Sequence, residues 1–267
     1  MKRLIRSVPL LSLVLITAGG VKALDVNLNS SHHQTQIEHS GLTGSPQLLA
    51  QKAVPQQSFV AANQLKVTVK EVAPYGQDTP LQIVCLFKHK ANGDTLISAA
   101  ADLDKDLSGL ITSIRNRGEF VANELETFLI VPPSNSIKPK LLLLIGLGDE
   151  KNLSLETMQR VGTVALREAV RLKTSNVSFA PILRDQNNAT LDTGDVAKAV
   201  MENVILAYDT EKRLQKQGLA HPFTINEWVY EAGVDFFAGA VAKVKQAVDQ
   251  TNAQIATRSS TPYISGR

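Results

Sequence analysis

The sequence contains a single cysteine, Cys85, so no disulfide can form within the chain whatever the redox state of its compartment. Cys85 lies in an apolar run over residues 81–87, which predicts a buried strand. We therefore interpret it as an unreactive thiol in the core. The alternative is a reactive nucleophile.

Blocks of positive charge are also missing, since nowhere do five or more Lys or Arg residues follow one another. The formal net charge is +3, but residues 1–23 hold four basic residues and no acidic one. Without that segment the net charge falls by four, from +3 to −1. The sequence thus lacks the electrostatic footprint of a nucleic-acid-binding protein, and we predict no nucleic-acid partner.

Apolar runs of the length that a bilayer requires, roughly 20 residues, are absent too. The N-terminal apolar run covers only residues 8–18, after a short basic start and before a Gly-Gly pair. Val21 and Ala23 then place small residues where a signal peptidase needs them. We predict a signal peptide over residues 1–23 and an exported protein, periplasmic or secreted, with no membrane anchor after cleavage. The alternative is a buried N-terminal helix.

Familiar catalytic motifs are missing as well: the chain has no His-Glu-x-x-His, Gly-x-Ser-x-Gly, Ser-x-x-Lys or P-loop pattern. Glu119, Glu124 and Glu126 lie close together in sequence and are candidates for acid–base work. No histidine or second acidic cluster is identifiably paired with them, so we interpret them as a solvated face. We predict no catalytic, cofactor-binding or metal-binding residues.

Residues 24–63 are polar, rich in Ser, Gln, Asn and His, and without sustained periodicity. Such a composition predicts a flexible leader between the cleavage site and the fold. Histidines in a flexible segment are rarely specific ligands, so we predict no metal site from the three that lie here: His32, His33 and His39.

From residue 64 onwards, strand-like and helix-like patterns alternate. Period-two alternation or short apolar runs predict five strands, over residues 65–72, 81–87, 127–131, 140–145 and 176–183. Apolar residues three and four apart predict three helices, over residues 97–114, 154–173 and 193–216. Strands alternating with helices predict an α/β domain, over residues 64–220, with a mixed, mostly parallel sheet flanked by helices.

A long last helix is predicted within residues 221–267, which we treat as an interdomain-type helix and tail. Thr224-Ile-Asn-Glu227 matches a capping box, in which the Thr and Glu side chains satisfy the first free amides of a helix. Apolar residues then recur on one face, from Trp228 to Ile255. The pattern predicts a helix that starts at the capping box and ends near Arg258.

Several segments carry a family resemblance through their order and spacing. An apolar strand ends in Gly-Leu-Gly over residues 141–148, and Arg117-Gly-Glu-Phe120 follows an acidic helical segment. Ala207-Tyr208-Asp209 lies downstream, and residues 247–262 form a final segment with Arg258 and Pro262. Over residues 65–262 this pattern resembles the N-terminal domain of the leucyl aminopeptidase (cytosol aminopeptidase) family. The resemblance implies a macro-like, three-layer α/β domain.

The same resemblance implies that catalysis belongs to a separate C-terminal domain, where two metal ions are held by a Lys, several Asp and a Glu, including an Asn-Thr-Asp-x-Glu-Gly-Arg segment. No such segment occurs in this sequence. No catalytic residue is therefore carried over from the family, and we expect a stand-alone, non-catalytic protein without a cofactor.

The turn Gly146-Leu-Gly148 invites comparison with phosphate-binding loops, because glycines after a strand let backbone amides approach an anion. The dinucleotide pattern then requires glycine at position 151, where Lys151 stands. Asp149 and Glu150 also place negative charge where a phosphate would lie. We predict a structural turn.

We expect this protein to be an exported interaction or regulatory module that binds a protein partner or self-associates, because family members form hexamers with contacts from this domain. Trp228, Phe236 and Phe237 on the predicted last helix are the candidate partner surface. The alternative for this helix is that it folds back on its own domain. Two further hypotheses remain: a nucleotide- or ADP-ribose-like binder through a macro-like pocket, and the non-catalytic part of a split metallo-aminopeptidase.

Overall fold

The computed structural model describes residues 53–264. In this part of the chain seven strands form one sheet: β1 Gln56–Val60, β2 Lys66–Glu71, β3 Leu81–Leu86, β4 Thr127–Ile130, β5 Leu141–Gly146, β6 Asn176–Ala180 and β7 Glu227–Ala232. It also contains five α-helices: α1 Ser98–Asp106, α2 Leu110–Asn116, α3 Leu155–Arg171, α4 Thr193–Lys216 and α5 Phe237–Ala256. None of these helices combines the length and apolar character that crossing a membrane would require.

The strands lie in the order β1-β2-β7-β6-β3-β5-β4. The five central strands, β2, β7, β6, β3 and β5, run parallel to one another, whereas β1 and β4 pair antiparallel at the two edges. β3 is buried along its whole length and β5 along nearly all of it, because both faces of a parallel sheet are covered. This central position explains why β3 and β5 contain continuous apolar runs.

Helices cover both faces of the sheet, and alternate residues of one strand show the two layers. Ile83 and Cys85 of β3 pack in a core with α3, α4 and α5. Val84 and Leu86 pack on the opposite face with α1 and α2. The predicted three-layer, mostly parallel α/β domain with a long C-terminal helix is therefore confirmed.

Two helix starts follow from side chains that accept hydrogen bonds from free amides. The Ser154 hydroxyl oxygen accepts from the Thr157 amide (3.1 Å) at the start of α3. The Asp192 carboxylate accepts from the Asp195 amide (2.9 Å) at the start of α4. Such caps stabilise a helix by about 1 kcal/mol each, so they fix where both helices begin.

The helix predicted over residues 97–114 is in fact two helices, α1 and α2. The chain turns between them at Ser108 and Gly109, which have φ angles of 58° and 77°. The Asp104 carboxylate then accepts hydrogen bonds from the Ile111 amide (2.8 Å) and the Thr112 amide (3.2 Å) at the start of α2. The apolar spacing continues across the break, and for that reason periodicity alone did not reveal it.

The helix predicted to begin at Thr224 is wrong in its first part. Residues Glu227–Ala232 form β7, which lies in the middle of the sheet between β2 and β6. Glu227 does not cap a helix; its carboxylate accepts hydrogen bonds from the Thr68 hydroxyl (2.7 Å) and lies 2.9 Å from Lys66 Nζ. The boundary expected at residue 220 therefore divides one sheet. Residues 221–267 supply a central strand as well as α5.

The flexible leader predicted over residues 24–63 is wrong at its C-terminal end. β1 pairs antiparallel with β2, and residues Ala62–Gln64 form a short 3-10 helix. The Ala62 amide donates to Asn252 Oδ1 (2.8 Å). Backbone pairing at a sheet edge needs no apolar side-chain pattern, so composition gave no sign of this strand. Residues 1–52, with the predicted signal peptide and the three histidines, lie outside the described residues.

Candidate ligand-binding site

A cavity of about 440 Å³ opens at the carboxyl ends of β2, β7 and β6. The connection after β3 leads to α1 on one face of the sheet, and the connection after β6 leads to α4 on the other. Since β3 and β6 are neighbours, the sheet switches its connections there, and such switch points are where open α/β sheets bind ligands. The volume also falls within the usual range for small-molecule sites.

Most of the cavity wall is apolar. Pro74, Ile182 and Val196 contribute to it from three separate segments, and Phe236 contributes near the start of α5. Four charged side chains also line it, namely Glu71, Arg184, Asp185 and Glu231. A cavity of this composition can enclose an apolar ligand body and orient it through a few polar contacts.

Arg184 is the single basic residue among the described residues that line the cavity. Its two terminal amino groups donate to backbone carbonyls, one to Asn188 O (2.6 Å) and the other to Leu191 O (2.8 Å). The guanidinium carbon lies 5.9 Å from the centre of the Phe236 ring. Arg184 therefore stabilises the loop that follows β6 through one N–H of each terminal nitrogen.

Glu231 of β7 forms a buried polar cluster with Gln82 of β3 and Ser178 of β6. Glu231 is 4% exposed, and its Oε2 accepts a hydrogen bond from Gln82 Nε2 (3.0 Å). Three buried atoms of the cluster have no hydrogen-bond partner within the described residues: Gln82 Oε1, Ser178 Oγ and Glu231 Oε1. Buried polar atoms are nearly always paired in folded proteins, so this cluster is unusual.

Burial changes the acidity of two carboxyl groups at the cavity. Removal from water raises the pKa of Glu231 to about 8, although the bond from Gln82 and the charge of Lys70 partly offset this. The pKa of Asp185 is raised as well, and burial is the cause. Because the charged form is the one that burial disfavours, both groups would gain from a cation placed beside them.

A second cluster of charged groups lies beyond the carboxyl end of β3. Arg115 is 2% exposed; its Nε donates to Asp94 Oδ2 (2.5 Å) and its Nη2 donates to Phe87 O (2.8 Å). His89 Nδ1 lies 2.9 Å from the same carboxylate oxygen. Burial alone would raise the pKa of Asp94, but these hydrogen bonds hold it below its usual value. The cluster joins the loop after β3 to α2.

Residues 53–264 contain no group of three or more His, Cys, Asp or Glu side chains placed to hold a metal ion.

The sequence model of the cytosol aminopeptidase family, N-terminal domain, matches residues 83–217. The chain belongs to the cytosol aminopeptidase family. The match runs from β3 to just beyond the end of α4, which is narrower than the resemblance noted over residues 65–262. Residues 180–185 and the first residues of α1 and α4 at the cavity fall inside it, whereas Glu71 and Glu231 fall outside.

Curated members of the cytosol aminopeptidase family match about half of this chain. A probable cytosol aminopeptidase of Thermosynechococcus vestitus is 31% identical over 121 residues, which is 45% of this chain and 23% of the relative. The chain thus matches about a quarter of the length of such a curated relative.

Solved structures support the same fold. A tomato leucine aminopeptidase mutant superposes with a TM-score of 0.51 at 16% identity, over 68% of this chain and 35% of that one. The Oceanobacillus iheyensis macrodomain with ADP superposes with a TM-score of 0.52 at 13% identity, over 74% of this chain and 99% of that one. At these identities the likeness shows the macro-like fold alone.

The structure separates the three residues predicted as a partner surface. Trp228 is 0% exposed because it lies in β7, so its assignment to a surface is wrong. Phe236 is 37% exposed and lines the cavity, and Phe237 is partly buried against the core. The helical face that was expected to unite them does not exist.

The glycine turn after β5 and the single cysteine have the structural roles that were predicted for them. The Leu147 and Gly148 amides donate to backbone carbonyls (2.8 and 3.1 Å), which agrees with the predicted structural turn. A Cβ at Gly146 would lie 2.0 Å from Asn123 O, so only glycine fits there. Cys85 is fully buried and its pKa is raised by burial, as expected of a core thiol.

The three glutamates proposed for acid–base work do not converge on a site. Glu119 pairs with Arg117 (3.0 Å) and Glu124 with Arg160 (2.5 Å) at the surface. Glu126 accepts a hydrogen bond from the Asn123 amide (2.8 Å). These contacts fit the predicted solvated face.

The sequence interpretation missed two acidic residues of the cavity, the buried Glu231 and the partly buried Asp185. A glutamate directly after Trp-Val-Tyr gave one usable signal, since in a central parallel strand both faces are covered and that position is buried. Asp185 follows a predicted strand, where ligand-binding residues of parallel sheets are often found.

Proposed function

We propose that this chain is a non-enzymatic ligand-binding domain whose ligand is a small molecule held in the cavity at the carboxyl ends of β2, β7 and β6. The cavity carries the proposal: it has a mainly apolar wall and a volume of about 440 Å³, and it lies at the switch point of the sheet. We place the protein outside the cytoplasm because of residues 1–23, and N-terminal sequencing of the mature chain, expected to begin at Leu24, checks this part.

The buried cluster next to the cavity adds a second line of support. Glu231 belongs both to the cavity wall and to the group of buried side chains with atoms that lack partners. Leaving such atoms unpaired costs about 1–3 kcal/mol each. Unpaired buried atoms are therefore expected where a ligand or an ordered water molecule binds to them, as in a ligand-binding site.

A ligand that binds the folded state raises the midpoint of thermal unfolding. At a hundred-fold excess over Kd the gain is about 2.7 kcal/mol, which for a chain of this size is a shift of roughly 5 to 10 °C. We expect at least one compound among nucleotides, ADP-ribose, amines and short peptides to produce such a shift, measured by differential scanning fluorimetry and confirmed by calorimetry.

Two variants in α1 make the measurement specific to the cavity. Ala99 lines the cavity, so Ala99→Trp should fill it and abolish the shift. Lys105 is an exposed residue of the same helix outside the cavity lining, so Lys105→Trp should leave the shift unchanged. If no compound shifts the wild-type midpoint, or if Ala99→Trp retains the full shift, the proposed function is wrong.

Self-association or partner binding is the second candidate function, and one observation favours it. β4 is an edge strand of the sheet, and the apolar residues Leu129 and Val131 are 37% and 74% exposed there. Exposed edges of this kind pair readily with another chain. Light scattering on the same samples tests this: a dimer or larger assembly supports it, and a monomer that captures no protein contradicts it. The role as part of a split metallo-aminopeptidase stays a prediction, which a neighbouring reading frame for the peptidase domain would support.

A further inference from the structure

We infer that the cavity binds a small organic cation, a primary amine or a guanidinium that carries an apolar group, rather than a ligand that bears phosphates. The inference rests on the proposed function, since it specifies the class of ligand for the same cavity. Three observations support it. The cavity wall holds more acidic than basic residues, its one arginine already makes hydrogen bonds to the backbone, and one of its carboxyl groups is buried.

The charge of the lining is the first step. Three carboxyl groups reach the cavity from three elements: Glu71 at the end of β2, Asp185 in the loop after β6, and Glu231 in β7. Among the described residues, none of these carboxyl groups takes part in an ion pair. A cationic ligand would supply the charge that this wall lacks, because an opposite charge close by favours an ionised carboxylate.

The single guanidinium of the lining does not offset these carboxyl groups. Arg184 donates one N–H of each terminal amino group to the carbonyls of Asn188 and Leu191, which fixes the guanidinium against the loop, and its single positive charge stands beside three acidic residues of the lining. At the start of α4 the Asp192 carboxylate accepts from the amide of Asp195, which places a negative charge where an anion would otherwise bind. The start of α1 has no side-chain cap and is the feature that most favours an anion, but it shares the cavity with three carboxyl groups.

The buried polar cluster is an independent second observation. Glu231 is more than nine-tenths buried, lines the cavity, and has one carboxyl oxygen without a partner among the described residues. Gln82 Oε1, also unpaired, is an acceptor that cannot donate. These two oxygens call for hydrogen-bond donors, which an ammonium or guanidinium group has and an ionised phosphate lacks, whereas the third unpaired atom, Ser178 Oγ, can both donate and accept.

The rest of the wall suits an apolar body attached to that cation. Pro74, Ile182 and Val196 provide apolar surface. The Phe236 ring adds further apolar surface, and the Arg184 guanidinium carbon lies 5.9 Å from its centre. The volume of about 440 Å³ admits a ligand with one ring or one short alkyl chain beside its charged group.

Calorimetry with matched probes tests the ligand class. The cations are phenethylamine and agmatine, 2-phenylethanol is the uncharged counterpart of the first, and ADP and ADP-ribose are the phosphate-bearing probes. We expect both cations to bind, and 2-phenylethanol to bind at least about tenfold more weakly than phenethylamine because it leaves the carboxyl groups without a counter-charge. Binding of the cations should weaken as salt is added.

Variants that remove one charge each test whether the acidic residues of the cavity wall bind the cation. Asp185→Asn and Glu71→Gln should each weaken phenethylamine by several-fold, roughly three- to tenfold, because each removes one carboxylate. Glu156→Gln, at an exposed position of α3 outside the cavity, should not change it. Circular dichroism confirms that each variant is folded, and Glu71→Gln serves as the test if Asp185→Asn does not fold.

The outcomes separate the two claims. If ADP or ADP-ribose binds, Ala99→Trp abolishes that binding, and the amines do not bind, the ligand class is wrong and the proposed function stands. If the amines bind equally well to Ala99→Trp or to Asp185→Asn together with Glu71→Gln, they bind elsewhere and the inference is wrong. If no probe of either class binds, the inference is wrong, and the wider panel above decides the proposed function.

Discussion

Replacing Arg115 by methionine should lower the free energy of unfolding by about 3 kcal/mol, because it leaves the partly buried carboxylate of Asp94 without its main partner. Arg115 is 2% exposed, and it joins Asp94 Oδ2 (2.5 Å) to the carbonyl of Phe87 (2.8 Å). His89 and the Lys90 amide also contact the Asp94 carboxylate and will compensate in part. For that reason the expected loss lies at the lower end of the range for broken buried pairs.

Urea unfolding followed by circular dichroism measures this effect, and Arg117→Met is the matched control. Arg117 lies two residues further along the chain, with a side chain that is 58% exposed and paired with Glu119 at 3.0 Å. Exposed pairs contribute about 0–1 kcal/mol, so the control should change stability little. Equal effects of the two variants would mean that the Asp94 cluster does not join the loop after β3 to α2.

The layered fold could be predicted because its buried strands and helix faces produce recognisable patterns of apolar residues in the sequence. β3 and β5 are covered on both faces, so they appear as unbroken apolar runs. α3 and α4 each have one buried face and polar caps, which produce a helical period between recognisable ends. Local sequence and tertiary position agree in these elements.

The prediction failed where the tertiary position overrides a local rule. Thr224 and Glu227 have the spacing of a helix cap, yet Glu227 contacts Thr68 and Lys66 of the neighbouring strand instead. Trp228 and Tyr230 belong to one face of a strand, and over six residues a short apolar run fits either structure. Aromatic and β-branched residues before Gly233 were the signal that favoured a strand.

The cavity could not be predicted because its wall comes from segments that are distant in sequence. Residues 71–74, 98–99, 180–185 and 230–236 meet there through the strand order, in which β7 enters between β2 and β6. Once β7 was assigned to a helix, Glu231 had no reason to be buried. A single error in one strand therefore concealed the candidate site.

Glu231 should make the stability of the protein depend on pH. Burial raises its pKa to about 8 in the folded protein, against about 4.3 for a glutamate in an unfolded chain. Between these values the folded protein keeps a proton that the unfolded chain has lost. The stabilisation from this group is therefore complete below about pH 4.3 and is lost as the pH rises through about 8. The loss is about 1.4 kcal/mol per pH unit midway between the two pKa values and smaller close to each of them, so between pH 5 and pH 8 it amounts to about 3 to 4 kcal/mol.

Glu231→Gln should abolish this dependence, because glutamine has almost the same shape, no charge, and a carbonyl oxygen that can accept from Gln82 Nε2. We expect the variant to match the wild type near pH 5 and to exceed it by about 3 kcal/mol at pH 8, measured by urea unfolding at each pH. Glu119→Gln is the control, since the Glu119 side chain is 47% exposed and should leave the pH profile unchanged. If wild type and Glu231→Gln lose stability in parallel from pH 5 to pH 8, Glu231 is ionised in the folded protein. Its charge would then be balanced at the cavity wall without a ligand, and the case for a cationic ligand would lose its buried carboxyl group.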